Sequence, residues 1–238
     1  MNKEKTKILK KIKLLLSIGL ILPSKIPADQ DLNVEIWGNP EYANRTCDML
    51  STLPEEIKQY LKQIDMKIVI LEGEYSAEKL WNQFSSSSPS LIRGFIDTYD
   101  HPMTLYVEGS KHTGYYEKYS ECSQGLEEDE FYFFLVRDTL LHELGHCIDA
   151  SENFNISNSS EFKQIYQEEV QNFMLTDEYN IDNLKIFANI GEPVEYFASA
   201  FSAYISYPDN LKLYCPKTYN FIQNDIDQKK EVKTFMIK

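Results

Sequence analysis

Two histidines four residues apart inside an apolar stretch constrain this chain more than any other feature. The stretch is Leu140-Leu141-His142-Glu143-Leu144-Gly145-His146-Cys147-Ile148-Asp149. On a helix, positions i and i+4 lie one turn apart on one face, so both imidazoles can reach a single metal ion. Glu143 sits between them, where its carboxylate can reach a water on that metal. Neutral imidazole suits Zn²⁺ as a borderline-soft ligand, and a carboxylate is a competent proton shuttle. The plainer reading is a chance match on a surface helix. The flanks count against it: Leu140, Leu141, Leu144, Cys147 and Ile148 place the histidines in or beside a core. Cys147 follows a candidate ligand directly but points about 100° around the helix from it, and reads as a packing residue.

The arrangement is the H-E-x-x-H of zinc peptidases. A catalytic zinc keeps three protein ligands and one open position. The chain has four histidines, His101, His112, His142 and His146, and none follows His146. The longer H-E-x-x-H-x-x-G-x-x-H pattern is excluded, because Glu152 stands where its third histidine would be. A glutamate from a following helix is the remaining common solution, and Glu192 and Glu195 are the candidates. Glu192 reads as a cap residue before Pro193. Glu195 heads the apolar, small-residue run Tyr196-Phe197-Ala198-Ser199-Ala200-Phe201, an unusual place for a solvated carboxylate, and is preferred. The plainer reading makes both glutamates N-terminal helix charges.

The net charge of −13 argues against nucleic acid and against anionic membrane surfaces as partners. A hydrophobic fraction of 42%, with 13 Phe and 16 Tyr, is ample for a core of one domain. The N-terminus reads as a secretory signal over residues 1–28. Lys3, Lys5, Lys7, Lys10, Lys11 and Lys13 precede a short apolar run, Leu14 to Leu22, that Pro23 ends, and Ala28 is the candidate cleavage point. The run is too short to span a bilayer comfortably. Removing residues 1–28 takes the net charge to −19. Four cysteines, Cys47, Cys122, Cys147 and Cys215, include no C-x-x-C pair. A cysteine zinc knuckle is therefore not expected, and export would allow one or two disulfides of unassigned pairing.

Along the chain, strands are expected at 33–37, 66–71, 91–96 and 103–108. A helical stretch over 42–64 has a restart near Pro54, and a short helix follows Ser76. Ser85–Ser90 reads as a loop, and 109–126 as a mobile loop carrying Tyr115, Tyr116 and Tyr119. Glu127 to Glu130 suit the positive end of a helix running from about 128 to 150. Asn158 or Ser159 caps the next helix, whose apolar stripe is Phe162, Ile165, Val170 and Phe173. A loop over 175–191 leads to a helix from Pro193 through Ser206. The last helix starts at Tyr214-Cys215-Pro216-Lys217 and ends near Lys229. The expected fold class is α+β and gluzincin-like: a small mixed β-sheet packed on the H-E-x-x-H helix, followed by a mainly helical C-terminal lobe. After the signal, residues 29–238 form one domain, with an α/β lobe to about 150 and a helical lobe over 151–238.

Residues 140–222 resemble the catalytic domain of anthrax lethal factor and the clostridial Pro-Pro endopeptidases. The likeness lies in Leu141–Asp149, in Glu161–Glu169, in Glu195-Tyr196-Phe197-Ala198-Ser199-Ala200-Phe201 and in Cys215–Ile222. A weaker match over Tyr60–Ile68 extends it upstream. The resemblance implies a secreted zinc endopeptidase with His142, His146 and Glu195 as ligands and Glu143 as base. Two positions depart from the family's pattern. Ser199 stands where the family has a second glutamate, four residues after the ligand glutamate. Ala188 stands where it has an oxyanion-holding tyrosine, seven residues before. Counted forward from Glu168-Glu169, Tyr179 falls at that tyrosine's place, and its plainer reading is an exposed loop residue.

The expectation is a secreted, monomeric endopeptidase holding one Zn²⁺ per chain. It would act on extended peptide or protein substrates without nucleic-acid or stable membrane partners. Glu143 activates the water, and a phenol or the metal stabilises the oxyanion. The substrate would pair with an edge strand at Thr104–Val107. The alternatives are a lethal-factor-like toxin effector acting on host proteins and an inactive zinc-binding relative.

Overall fold

The computed structural model describes residues 32–38, 43–71, 76–77, 80–81, 94–97, 103–108, 128–151, 155–173 and 191–236. The expected signal segment, the serine-rich loop, the loop over 109–126 and most of that over 175–191 lie outside the described residues. So do His101, His112, Cys122, Tyr179 and Ala188. Among the described residues no helix is long and apolar enough to cross a membrane. The elements fall into two compact units.

The first unit carries the sheet. Its strands are β1 (Asn33–Trp37), β2 (Lys67–Leu71), β3 (Gly94–Asp97) and β4 (Thr104–Glu108), in the order β1-β2-β4-β3. β1 pairs with β2 and β2 with β4 in parallel, and β3 closes on β4 antiparallel, so the sheet is mixed as expected. A parallel pair needs a long crossover, and residues 43–63 supply it as two helices, α1 (Ala43–Ser51) and α2 (Glu55–Gln63). Gly38 leaves β1 at φ 110°, a conformation that costs a glycine little. Ile68, Val69, Ile70 and Leu71 are fully buried, which suits a central strand written as an unbroken apolar run. Trp37, Val69, Leu71, Phe95 and Tyr106 share one core cluster with Ala77 and Leu80. Phe95 and Tyr106 stack at 4.8 Å across β3 and β4. Glu108 is buried at the end of β4, where its Oε1 accepts the Ala77 N–H at 2.8 Å.

The register corrects one expectation. Thr104–Val107 is not an edge. β4 is hydrogen-bonded to β2 on one side and to β3 on the other, so it has no free ladder to offer a peptide. Among the described residues the terminal strands are β1 and β3.

The second unit is helical. It contains α2, α3 (Glu128–Ser151), α4 (Asn155–Asn158), α5 (Ser160–Phe173), α6 (Pro193–Ser206), α7 (Pro208–Tyr214) and α8 (Pro216–Met236). Pro54 occupies the N-cap of α2, and Ile57 and Leu61 are its buried positions. Ser159 caps α5, accepting the Phe162 N–H at 3.1 Å. The C-terminal end of α3 is tied down twice. The Tyr60 and Ser151 hydroxyls share a hydrogen bond, and Asp149 Oδ1 accepts the Ser157 N–H at 3.0 Å.

Two further expectations are corrected here. The last helix begins at Pro216 but runs to Met236, not Lys229, and α7 precedes it. Prolines open α6, α7 and α8 alike, at Pro193, Pro208 and Pro216. A proline fits a first helical turn while disfavouring helix in the residue before it. Tyr207 accordingly breaks away at φ −141°, ψ 55°, ending one helix and opening the next.

The stripe of α5 also differs. Phe162, Ile165 and Phe173 are buried, but Glu169, not Val170, takes the inward position between them. Its carboxylate accepts the backbone N–H of Lys217 at 3.0 Å and of Thr218 at 2.8 Å, and the Thr218 hydroxyl at 2.8 Å. A carboxylate on the unsatisfied donors at the positive end of α8 is favourable on both counts. The Glu169→Ala variant is expected to lose about 2–3 kcal/mol of stability, since buried charge-assisted bonds vanish and their donors are left unpaired. Glu169→Gln should lose less. Thermal and urea unfolding check this, and an unchanged midpoint for Glu169→Ala would contradict it.

Candidate metal centre

Helices α3 and α6 run antiparallel, and the site is the seam between them. Residues 196–203 of α6 are all buried, so this is a core helix with side chains packed on every side. Its first turn is set by Glu192 in an extended N-cap conformation, with φ −130° and ψ 148°, and by Pro193 at the first helical position. Glu192 therefore occupies the cap, as expected, and its side chain makes no capping hydrogen bond. Glu195 sits in the first turn, half-buried, pointing back across the seam.

Gly145 explains how close the two helices come. A Cβ placed there would meet the Ala198 Cα at 2.8 Å, the Ala198 carbonyl oxygen at 3.1 Å and the Phe201 Cβ at 3.1 Å. Backbone faces backbone, and no side chain at 145 could move aside. That contact brings three donors together. His142 Nε2 lies 3.3 Å from Glu195 Oε2, and His146 Nε2 lies 3.4 Å from the same oxygen. The three ligand-type atoms all lie within 4.8 Å of one another. The imidazole rings stand at 88° with centroids 4.6 Å apart, an edge-on arrangement in which they do not stack.

The spacing fits a metal. Zinc holds nitrogen and oxygen ligands at about 2.0–2.2 Å in a tetrahedron, which sets neighbouring ligand atoms about 3.4 Å apart. A direct charge-assisted hydrogen bond closes to about 2.8 Å instead. The two observed distances, 3.3 and 3.4 Å, match two edges of such a tetrahedron. Among the described residues this is the one group of three or more His, Cys, Asp or Glu side chains with that convergence.

The electrostatics follow from burial and neighbours. Burial alone would raise the Glu195 carboxyl, but the facing imidazoles of His142 and His146 hold it well below the usual carboxylate range. Burial opposes a proton on His142, yet Glu195, Glu143 and Asp138 outweigh it and raise the imidazole. Glu143 is pushed up by burial, against the pull of His142 and His146. Cys147 is a fully buried free thiol, raised well above its ordinary range by the same desolvation, and it stands outside the group of converging side chains. Cys47 and Cys215 are also buried free thiols.

His142, Glu143, His146 and Glu195 are thus on adjoining faces of one seam. Tyr179 lies outside the described residues. The sequence reading missed what steadies Glu195. Its neighbour Tyr196 is fully buried among Phe162, Tyr166 and Phe173. The Tyr196 hydroxyl lies 2.7 Å from Thr218 Oγ1, whose own proton goes to Glu169. The chain of bonds fixes the rotation of α6 at its first turn. Its signal in the sequence was a glutamate on the apolar stripe of α5 opposite a Pro-Lys-Thr helix start.

Three comparisons with known proteins point to one family. The family profile described as anthrax toxin lethal factor, N- and C-terminal domain, matches residues 38–225. The Pro-Pro endopeptidase of Clostridioides difficile (strain 630) is 28% identical over 185 residues, which cover 76% of this chain and 74% of that protein. The solved Pro-Pro endopeptidase of Paenibacillus alvei shares the fold with a TM-score of 0.50 at 19% identity, over 83% of this chain and 98% of that one.

Gly145→Ala places a methyl group against backbone and is expected to cost about 2–3 kcal/mol of overpacking strain. The unfolding midpoint should fall by roughly 5–10 °C. A Gly145→Ala protein melting with the wild type would show that α6 is not seated by this contact.

Proposed function

We propose that this chain, which belongs to the anthrax toxin lethal factor family, is a zinc-dependent endopeptidase whose metal is held by His142, His146 and Glu195. The observation that carries the proposal is the pair of tetrahedral-edge distances from Glu195 to the two imidazoles. Zinc bound there supplies Lewis-acid activation of a water molecule and of the scissile carbonyl. Glu143 takes the proton of the attacking water and delivers it to the leaving amine nitrogen. Its burial favours the neutral carboxyl, which brings it closer to the balance that two-way proton transfer needs. Tyr179 is the proposed donor to the oxyanion, on its place in the sequence alone.

We further propose that residues 1–28 direct export and that residues 29–238 act as the peptidase, on extracellular protein or peptide substrates. Both named relatives are Pro-Pro endopeptidases, so peptides containing a Pro-Pro bond are the first substrates to test.

Cleavage of a peptide library by the full chain should stop when zinc is chelated and return when zinc is restored. The Glu143→Gln variant should bind one zinc and lose roughly 10²–10⁴-fold in kcat/KM, the range for a positioned acid–base group. Cleavage by Glu143→Gln at the wild-type rate would overturn the mechanism. Zinc binding by the wild type with no cleavage of any library member would favour a zinc-holding protein without peptidase activity.

A further inference from the structure

Ser199 stands one turn after Glu195 on α6, and it is buried. Its Oγ lies 3.2 Å from Nδ1 of His142, the nitrogen on the far side of the ring from Glu195. We propose that Ser199 is a positioning residue that accepts the Nδ1–H of His142 and thereby keeps Nε2 free as a metal ligand. The inference rests on the zinc-site reading above.

A neutral imidazole carries its single proton on either nitrogen, and only the form with Nε2 bare can ligate from this position. The partner of the other nitrogen decides between them. Here that partner is fixed in place. Ser199 follows Ala198, the residue whose backbone abuts Gly145, so it has little freedom to retreat from α3. One turn further along the seam, the Ser202 hydroxyl donates to Asp138 Oδ1 at 3.0 Å. Asp138–Ser202 and His142–Ser199 are successive rungs, with the His146–Glu195 contact beyond them. At two successive turns a hydroxyl of α6 meets a polar group of α3, and at the third the Glu195 carboxylate does.

The serine also differs in kind from the glutamate that the family resemblance expects at this position. A carboxylate would orient the ring and add negative charge that strengthens the ligand. A hydroxyl orients the ring and adds no charge. Ser199 therefore sets the tautomer and angle of His142 while leaving its basicity to other groups.

Zinc affinity of the full chain is to be measured by competition with a chromophoric chelator, for wild type, Ser199→Ala, Ser199→Thr and His142→Ala. Melting of each zinc-free protein is recorded alongside. Ser199→Ala should bind zinc about 10- to 100-fold more weakly, the usual loss when the partner of a ligating histidine is removed. Its zinc-free form should melt near the wild type, because one hydroxyl is lost and no cavity opens. Ser199→Thr keeps the oxygen and should recover most of the affinity. A purely structural role would shift the zinc-free melting point and leave affinity alone. Wild-type affinity in Ser199→Ala, with His142→Ala unable to bind, overturns the role of Ser199 and leaves the metal site standing. Wild-type affinity in His142→Ala, or no zinc binding by the wild type, overturns the metal site and the inference with it.

Discussion

The backbone contact between Gly145 and Ala198 is the constraint on which the candidate site depends. Two helices with side chains at their crossing stand about 8–10 Å apart. Removing the side chain at 145 lets α6 come against α3, and the short reach of one glutamate then bridges to two imidazoles. The motif thus needs its glycine for a reason separate from its ligands. His142 and His146 supply chemistry, while Gly145 supplies the approach that lets a second helix finish the site. A wider crossing would leave Glu195 facing water and the histidines without a third donor.

A close approach alone does not fix rotation or pitch, and the buried polar groups around α6 do that. Tyr196 runs through Thr218 to Glu169, and Glu169 closes the N-terminus of α8. These groups are internally satisfied, so they specify one arrangement without leaving unpaired donors in the core. On the other side, Ser199 and Ser202 meet α3. Glu195 is therefore held by α5 and α8 from behind and by α3 in front. That rigidity suits a metal site, because groups ordered in advance lose little affinity to being arranged on binding.

Much of this was legible in the residues themselves. The H-E-x-x-H spacing, the lack of any later histidine and the apolar run after Glu195 led to the three side chains that the structure brings together. Helix boundaries at Pro54, Ser159 and Pro193 were legible because proline and serine act locally. The misreadings have a common cause. An apolar stripe read from residue type takes in Val170 and passes over Glu169, whereas the partner that makes Glu169 welcome lies almost fifty residues away. The strand at 104–108 reads the same whether central or terminal, and only pairing shows that both its edges are taken. Helix α7 is not legible in the sequence, because its seven residues are too few to display a period.

The central claim is that His142, His146 and Glu195 together hold one zinc ion. Zinc-edge X-ray absorption of the zinc-loaded full chain tests it most directly. The account predicts one zinc per chain in a four-coordinate shell of nitrogen and oxygen at about 2.0–2.1 Å, with multiple scattering from two imidazoles. A sulfur shell at about 2.3 Å, a single imidazole, or the same spectrum from Glu195→Ala would contradict it.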